Sequence, residues 1–322
     1  MLSILSNNRD IYFNLALEEY WLKKRDEDIM MVWQSDTSVV IGKHQNTYAE
    51  INNECIRKHH IPVARRLSGG GTVYHDPGNL NFTIIMNGEP GKLVNFQRFV
   101  SPVILYLKTL GIEAEMGMHN ELLIDGIKIS GNAEHVFKKR VLHHGTLLFN
   151  SDLELLHKVI KVPAGRYIDK AVHSNRAEVG NISGFLSDPL SFDEFTLGLY
   201  RFLKEYFKID EDYSLDSHEL HEITNLRDSR YTTREWIYNY SPPFKLVSKF
   251  KIGNSELKAE FNIEKGMIKS VTFIGNNREE SKEILFKQLV QLPFEYLAIR
   301  KSLKDSGNLS DEQITEILKR LF

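Results

Sequence analysis

The sequence is poor in cysteine, in long apolar runs and in net charge. Cys55 is the one cysteine among 322 residues, so an intrachain disulfide framework and a cysteine-rich zinc site are both excluded. Lysine plus arginine total 41 and aspartate plus glutamate total 43, a near balance that gives no chain-wide basic field for nucleic acid. No apolar run approaches the ~20 residues that span a membrane, and the N-terminus lacks a secretory signal pattern. We therefore expect a cytoplasmic protein that binds neither nucleic acid nor membranes.

The remaining composition is that of a folded chain with two domains. Hydrophobic residues make up 42% of it and aromatic residues 11%, which is enough for a packed core. Helix-like and strand-like segments alternate through the first part of the chain, whereas Ser241-Pro242-Pro243 cannot continue a helix. Three strand-like runs and further helical patterns follow this break. The pattern predicts a large α/β domain over residues 1–240 and a small α+β domain over residues 241–322.

Local patterns predict individual elements. Ser191 and Glu194 form a capping-box pattern, so we expect a long amphipathic helix from there to about Lys208. Residues 48–59 are predicted to form one helix with Cys55 on its buried face. The polar, acidic stretch 209–221 is predicted to be a loop.

The densest candidate site is the segment 65–75, which reads Arg-Arg-Leu-Ser-Gly-Gly-Gly-Thr-Val-Tyr-His. Three consecutive glycines suit a chain that approaches a ligand closely or presents successive amide hydrogens to an anion. Arg65 and Arg66 would add fixed positive charge, so phosphate or carboxylate is the natural ligand. The competing interpretation is a flexible turn between two strands. The segment matches neither a P-loop nor a dinucleotide-binding fingerprint.

Lys128 is a second candidate. The pair Asp125-Gly126 lies between two short apolar runs and predicts a hairpin with a two-residue type I′ turn. Lys128 falls in the return strand, on the face opposite Ile127 and Ile129, where it can act as a point charge for an α-phosphate or a carboxylate. The competing interpretation is a lysine that is simply solvated on a strand.

Histidines supply the third candidate. His143 and His144 are adjacent in a predicted strand, so they point to opposite faces and do not easily share one metal ion. One of them can line a site while the other packs. His218 and His221 have helical spacing but no evident third ligand, which disfavours a zinc site.

Together these clusters resemble the lipoate–protein ligase A family. The resemblance rests on Arg65–Thr83, Lys128–Ala133 and His143–Leu148, with support from Phe13–Glu19 and Val40–Asn46. It covers about residues 10–240 and is looser after residue 245. It implies an α+β (mixed α/β) fold, with a biotin/lipoate-ligase-like catalytic domain around a central mixed sheet and a small α+β C-terminal accessory domain.

The resemblance also implies a two-step acyl transfer. Lipoate and ATP would give lipoyl-AMP and pyrophosphate, and the lipoyl group would then pass to a lysine of an apo lipoyl domain. The implied acceptors are E2 subunits of 2-oxoacid dehydrogenases and the glycine cleavage H protein. Lys128 is implied as the catalytic residue that contacts both ATP and lipoate. The other implied ATP-binding residues are Arg66, Gly71, Thr72, Val73 and Tyr74. The other implied lipoate-binding residues are Ser68, Gly70 and His144.

Two positions depart from the family pattern. His119-Asn120-Glu121 stands where many members have Arg-Asn-Asp. If this acidic position binds Mg²⁺, Glu121 offers its oxygen atoms from a longer side chain. Lys43 replaces the arginine of the family's Ile-Gly-Arg, which keeps the charge but loses the planar guanidinium.

The nearest alternative function is a lipoyl or octanoyl transferase that uses a preformed acyl donor on the same scaffold. A transferase with a cysteine nucleophile is disfavoured because Cys55 is poorly placed, whereas transfer that depends on Lys128 stays open. The Gly-Arg-Gly-Arg-type loop of biotin ligases is absent from the sequence. A binding module without enzymatic activity is disfavoured by the net charge of −2 and by the intact Lys128 cluster.

Overall fold

The computed structural model describes residues 1–89, 91, 93–160, 165–175, 177–252, 255–274 and 280–322. The chain forms two compact units. Unit 1 consists of Met1–Lys43, Ile61–His157 and Ser174–Thr233. Unit 2 consists of His44–His60, Lys158–His173 and Arg234–Phe322. Residues 241–322 thus share a unit with two earlier segments, and the domain limits 1–240 and 241–322 stay a prediction.

Strands and helices alternate along the chain. The described residues form fifteen strands, which are, in chain order, β1 (Leu2–Ser6), β2 (Ile29–Gln34), β3 (Ser38–Ile41), β4 (Val63–Arg65), β5 (Val73–His75), β6 (Asn79–Asn87), β7 (Glu115–Met116), β8 (Leu122–Ile124), β9 (Ile127–Ser130), β10 (Asn132–Phe137), β11 (Arg140–Leu148), β12 (Tyr167–Asp169), β13 (Phe244–Ile252), β14 (Ser255–Glu264) and β15 (Met267–Ile274). The α-helices of the same residues are α1 (Ile11–Lys24), α2 (Thr47–Glu50), α3 (Asn53–Lys58), α4 (Phe96–Thr109), α5 (Leu153–Val159), α6 (Phe192–Phe207), α7 (Ser217–Leu226), α8 (Glu280–Lys287), α9 (Tyr296–Asp305) and α10 (Asp311–Leu321). A 3-10 turn spans Ile182–Phe185, and π-helical segments span Arg227–Tyr231 and Glu235–Asn239.

Unit 1 is built on a five-stranded sheet with the strand order β1-β2-β6-β11-β10. The β1–β2 pair is parallel and the other three pairs are antiparallel. Two smaller sheets, β4-β3-β5 and β7-β8-β9, belong to the same unit. The central mixed sheet confirms the predicted fold class.

The two faces of this sheet have different chemistry, because side chains alternate along each strand. On β6, Leu80, Phe82 and Ile84 point into a hydrophobic core that also contains residues of α4 and α6. The alternate positions Asn81 and Thr83 are polar and also buried. The second face is therefore a buried polar surface, and it carries the candidate site.

Unit 2 is built on the antiparallel sheet β12-β13-β14-β15. Its hydrophobic core gathers Phe244, Phe294 and Phe322 with Tyr48 of α2. The Tyr48 hydroxyl donates to the Phe294 carbonyl oxygen at 2.7 Å. This packing explains why a segment near residue 48 belongs to the same unit as the C-terminal strands.

Some local predictions are confirmed and others are wrong. The capping box of Ser191 starts α6 as expected. Residues 48–59 do not form one helix: Ile51 is extended, and the Asn52 side chain caps the separate helix α3. Cys55 is half-buried there and does not lie in the core. Part of the predicted loop 209–221 forms α7, because Asp216 and Glu219 form a second capping box.

Among the described residues, no helix is long and apolar enough to cross a membrane.

Candidate active site

Arg66 fixes the conformation of the glycine-rich loop between β4 and β5. Its buried guanidinium donates from Nη2 to the carbonyl oxygens of Gly69 and Gly71, at 2.6 and 2.7 Å. It also donates from Nη1 to the carbonyl of Val40 at 3.2 Å and from Nε to Ser68 Oγ at 2.9 Å. Burial lowers the pKa of Arg66 to about 10, so the guanidinium stays charged at neutral pH. Four hydrogen bonds from one charged group favour an ordered loop over the flexible-turn interpretation.

The other loop residues differ in how much they depend on being glycine. Gly70 has φ +84°, and a Cβ there would lie 3.1 Å from Arg66 Nη2. A Cβ at Gly69 would meet no atom within 4 Å. A Cβ at Gly71 would lie 3.2 Å from Ser174 Cα, and the Thr72 amide donates to Ser174 Oγ at 2.9 Å. The close approach is therefore required at positions 70 and 71.

Arg65 is bound to the backbone that follows β3. Its side chain is fully buried, and Nη1 donates to the carbonyl oxygens of Gly42 and Lys43, both at 3.0 Å. Two hydrogen bonds of Arg65 therefore hold the backbone after β3, and the expectation that its charge contributes to an anion site stays a prediction.

The hairpin that carries Lys128 forms as predicted. Asp125 and Gly126 have φ values of 51° and 80°, which is the left-handed pair that a type I′ turn requires. The backbone of Lys128 is held on both sides, because its amide donates to the Glu178 carbonyl at 2.9 Å and its carbonyl accepts from Gly180 at 3.0 Å.

The Lys128 amine is half-buried and lies close to the loop strand β5. A Cβ built on Gly131 would lie 3.8 Å from Lys128 Nζ and 3.7 Å from Val73 Cγ1, so both side chains lie beside Gly131. Burial lowers the pKa of Lys128; Glu121 acts to raise that pKa, and Arg66 lowers it further. A partly desolvated amine with this surrounding favours the binding of an anion, which would stabilise its charged form.

His144 lies on the polar face of the central sheet and connects the loop to α1. Its Nε2 is 2.6 Å from Ser68 Oγ, and its Nδ1 is 3.0 Å from both carboxylate oxygens of Glu18. Thr83 donates to Glu18 Oε1 at 2.6 Å, and Trp33 Nε1 donates to Thr83 at 2.9 Å. Since a carboxylate only accepts, Nδ1 carries a proton, and in the neutral ring Nε2 accepts from the Ser68 hydroxyl. This buried chain holds Ser68 and His144 in one orientation.

His143 points the other way, as strand alternation predicts. It is fully buried between the rings of Phe82 and Phe99, whose centroids lie 5.7 and 5.1 Å away, and its Nδ1 is 3.0 Å from Glu134. Of the two histidines, His144 lines the polar face and His143 packs in the core.

His75 is a site residue that sequence reasoning assigned no role. It is buried, contacts the edge of the Trp33 ring, and has no hydrogen-bond partner at either ring nitrogen among the described residues. Burial, with Arg66 and His144 nearby, lowers the pKa of His75 to about 3, so the ring is neutral at physiological pH. Glu18, Thr83 and Trp33 were also missed as a network, because residues 50 to 126 positions apart meet only in the folded chain.

Glu121 is the candidate metal-binding residue. Its carboxylate accepts from the His119 amide at 2.8 Å. No group of three or more His, Cys, Asp or Glu side chains in the described ranges is arranged to hold a metal ion. One carboxylate is nevertheless compatible with Mg²⁺ that arrives with a nucleotide, since such ions are held largely by phosphates and water.

A fixed glycine-rich loop near a partly desolvated amine can bring two anions together. Comparison with known proteins shows the family to which the chain belongs. The family model of the lipoyl protein ligase A/B catalytic domain matches residues 10–203. Lipoate-protein ligase LplJ of Bacillus subtilis is 37% identical over 276 residues, which cover 84% of this chain and 83% of that protein. The chain belongs to the lipoyl protein ligase A/B family.

Two solved structures of lipoate-protein ligases have folds similar to that of this chain. A lipoate-protein ligase A bound with ATP is 28% identical with a TM-score of 0.62, covering 74% of this chain and 96% of that one. A bipartite lipoate protein ligase of Thermoplasma acidophilum, described together with its E2 lipoyl domain, is 28% identical with a TM-score of 0.63; the match covers 74% of this chain and 94% of that one.

Proposed function

We propose that the protein is an ATP-dependent lipoate–protein ligase. It activates lipoate to lipoyl-AMP with release of pyrophosphate and then transfers the lipoyl group to a lysine of an apo lipoyl domain. The observation that carries this proposal is the half-buried Lys128 side chain, which lies beside Gly131 as Val73 at the end of the ordered glycine-rich loop does, in a chain similar to lipoate-protein ligases over most of its length.

Lys128 is the proposed catalytic residue of the activation step. The lipoate carboxylate must attack the α-phosphate of ATP, and these two anions repel each other. A lysine ammonium between them offsets that repulsion and stabilises the charge that develops at phosphorus. The amine contributes more in a desolvated site than it would in water, because the local dielectric constant is lower.

The loop and the His144 network divide the remaining binding roles. The proposed ATP-binding residues, besides Lys128, are Arg66, Gly71, Thr72, Val73 and Tyr74. The proposed lipoate-binding residues, besides Lys128, are Ser68, Gly70 and His144. Arg66 supports ATP binding by holding the carbonyls of the loop, which leaves the backbone in one conformation before the nucleotide arrives. The hydrogen bond between Ser68 and His144 supports a shared role on the lipoate side.

The proposal also includes a metal ion, the acceptor domains and an accessory domain. Mg²⁺ accompanies ATP in this proposal. Glu121 supplies one carboxylate close enough to Lys128 that its negative charge acts to raise the pKa of Lys128, against the larger effect of burial. The proposed acceptors are the lipoyl domains of 2-oxoacid dehydrogenase E2 subunits and the glycine cleavage H protein. Residues 241–322 are proposed to act as the accessory domain, because the motifs that carry chemistry all end by residue 148.

The test is exchange of labelled pyrophosphate into ATP by the purified protein. We expect exchange that depends on added lipoate, followed by lipoylation of an apo lipoyl domain when that domain is supplied. Acyl transfer from an octanoylated carrier protein in the absence of ATP, with no lipoate-dependent exchange, would overturn the ligase assignment in favour of the transferase. No reaction with any acyl donor would overturn both.

A further inference from the structure

Ser174 lies against the glycine-rich loop, at residues that the proposed function assigns to ATP. The Thr72 amide donates to Ser174 Oγ at 2.9 Å. A Cβ built on Gly71 would lie 3.2 Å from both Oγ and Cα of Ser174, so Ser174 packs closely against Gly71 as well as Thr72. The amide hydrogen of Thr72 is therefore bound to an oxygen atom of the chain itself.

The stretch of chain that begins with Ser174 also reaches Lys128. The Lys128 amide donates to the carbonyl oxygen of Glu178 at 2.9 Å, and the Gly180 amide donates to the carbonyl oxygen of Lys128 at 3.0 Å. The described residues between Ser174 and Val179 are exposed. This stretch therefore contacts, from the protein surface, the loop and the lysine to which the proposed function assigns the phosphates of ATP.

The two ends of this stretch are held by different kinds of hydrogen bond. Lys128 is bound through backbone groups, so that only a movement of the main chain separates them. Thr72 is bound through a side-chain hydroxyl. Rotation of Ser174 about its Cα–Cβ bond moves that oxygen to another staggered position while the main chain stays in place. The Thr72 amide can therefore be released without a movement of the main chain.

We propose that the Ser174 hydroxyl competes with ATP for the Thr72 amide. This inference rests on the proposed function, which places Thr72 among the ATP-binding residues, and it adds a residue that opposes nucleotide binding. A phosphate oxygen carries negative charge, so its hydrogen bond with an amide is about twice as strong as that of a neutral hydroxyl. ATP therefore displaces Ser174, but the lost hydrogen bond raises the Kd for ATP. When AMP leaves after acyl transfer, the hydroxyl binds the amide again.

Removal of the hydroxyl should tighten the binding of ATP. Ser174→Ala takes away the competing acceptor, and we expect the Kd for ATP, measured by calorimetry, to fall about threefold, since one hydrogen bond makes a modest net contribution. The KM for ATP in lipoate-dependent pyrophosphate exchange should fall in parallel, with kcat changed less than about twofold. Ser101→Ala is the matched control, because Ser101 is also half-buried and its hydroxyl donates to the Gln97 carbonyl within α4. The control should leave the Kd for ATP unchanged.

Ser174→Asp tests the same contact in the opposite direction. The carboxylate of the variant accepts from the Thr72 amide more strongly than a hydroxyl does, and it repels the phosphates of ATP. We expect the Kd for ATP to rise more than about tenfold, without a fall in the thermal unfolding temperature.

The Kd of Ser174→Ala decides the proposal. A rise would show that Ser174 binds ATP instead of opposing it, and an unchanged value would show that the contact has no effect on ATP binding. Either result, with normal exchange by the unmodified protein, overturns the competition and leaves the ligase assignment intact. Absence of lipoate-dependent exchange in the unmodified protein would instead count against the proposed function itself, so the two failures are distinguishable.

Discussion

Ser68 Oγ and His144 Nε2 lie 2.6 Å apart, and this contact joins the glycine-rich loop to the central sheet. Both side chains are buried. The loop therefore cannot change its conformation near Ser68 without breaking a hydrogen bond that Glu18 orients from the other side of the imidazole. Under the proposed assignment, the lipoate-binding and ATP-binding residues therefore share one rigid frame.

Glu18→Gln should weaken lipoate binding. The carboxamide keeps the size of the side chain, but its NH2 group replaces one of the two oxygens that lie 3.0 Å from His144 Nδ1. A donor then faces a donor, so His144 loses its fixed orientation. We expect the KM for lipoate in pyrophosphate exchange to rise about tenfold, with the KM for ATP changed less than about twofold.

The adjacent carboxylate provides the control for that experiment. Glu19 is bound by Lys23, Arg230 and Tyr231, away from His144. Glu19→Gln should therefore lower the thermal unfolding temperature and leave the KM for lipoate unchanged. Equal effects of the two substitutions on that KM would show that the network does not position His144.

Gly70→Ala should be costly and Gly69→Ala should be tolerated. Position 70 has positive φ, and a Cβ there would press against Arg66 Nη2, whereas a Cβ at position 69 meets open space. We expect Gly70→Ala to lose about 1–2 kcal/mol of unfolding free energy and much of its exchange activity. Chemical denaturation and exchange assays of both variants test this. Equal behaviour of the two variants would restore the interpretation of the loop as a flexible turn.

His75 should make the protein acid-labile. Its pKa is about 3 in the folded chain and about 6.5 in the unfolded chain, so between these values the unfolded state binds more protons. Unfolding free energy is therefore lost as the pH falls from 6.5 towards 3, by as much as about 4 kcal/mol from this residue. His75→Phe should flatten the pH dependence of chemical denaturation in that window. An unaltered slope in the variant would mean that His75 takes up its proton equally in the folded and the unfolded chain, so that burial does not lower its pKa.

Sequence patterns predicted the elements that depend on near neighbours. The turn at Asp125-Gly126 and the cap at Ser191 are set by a few adjacent residues, and both formed as expected. Helix α4 was not predicted; Pro102 lies inside it, and a proline within a segment argues against a helix. Strand β10 was missed because its polar residues pair with β11 only in the finished sheet.

In the candidate site, too, sequence patterns predicted the features that depend on near neighbours and missed those that depend on distant segments. The loop, Lys128 and His144 stand in compact motifs that the sequence displays directly. The burial of Glu18 under His144 and the commitment of Arg65 to backbone carbonyls depend on contacts between distant segments. The membership of Tyr48 in the core of unit 2 depends likewise on packing against Phe294 and Phe322, which no local pattern encodes.

The most direct test of the account is lipoate-dependent pyrophosphate exchange by Lys128→Ala. The amine is half-buried, and its folded-state pKa is lowered by burial, so its removal should not destabilise the fold, and thermal unfolding should show a folded variant. We predict a loss of exchange of about a thousandfold or more, because a charge that stabilises the transition state is removed from a desolvated site. A folded Lys128→Ala protein that exchanges pyrophosphate at the rate of the unmodified chain would contradict the central role of Lys128.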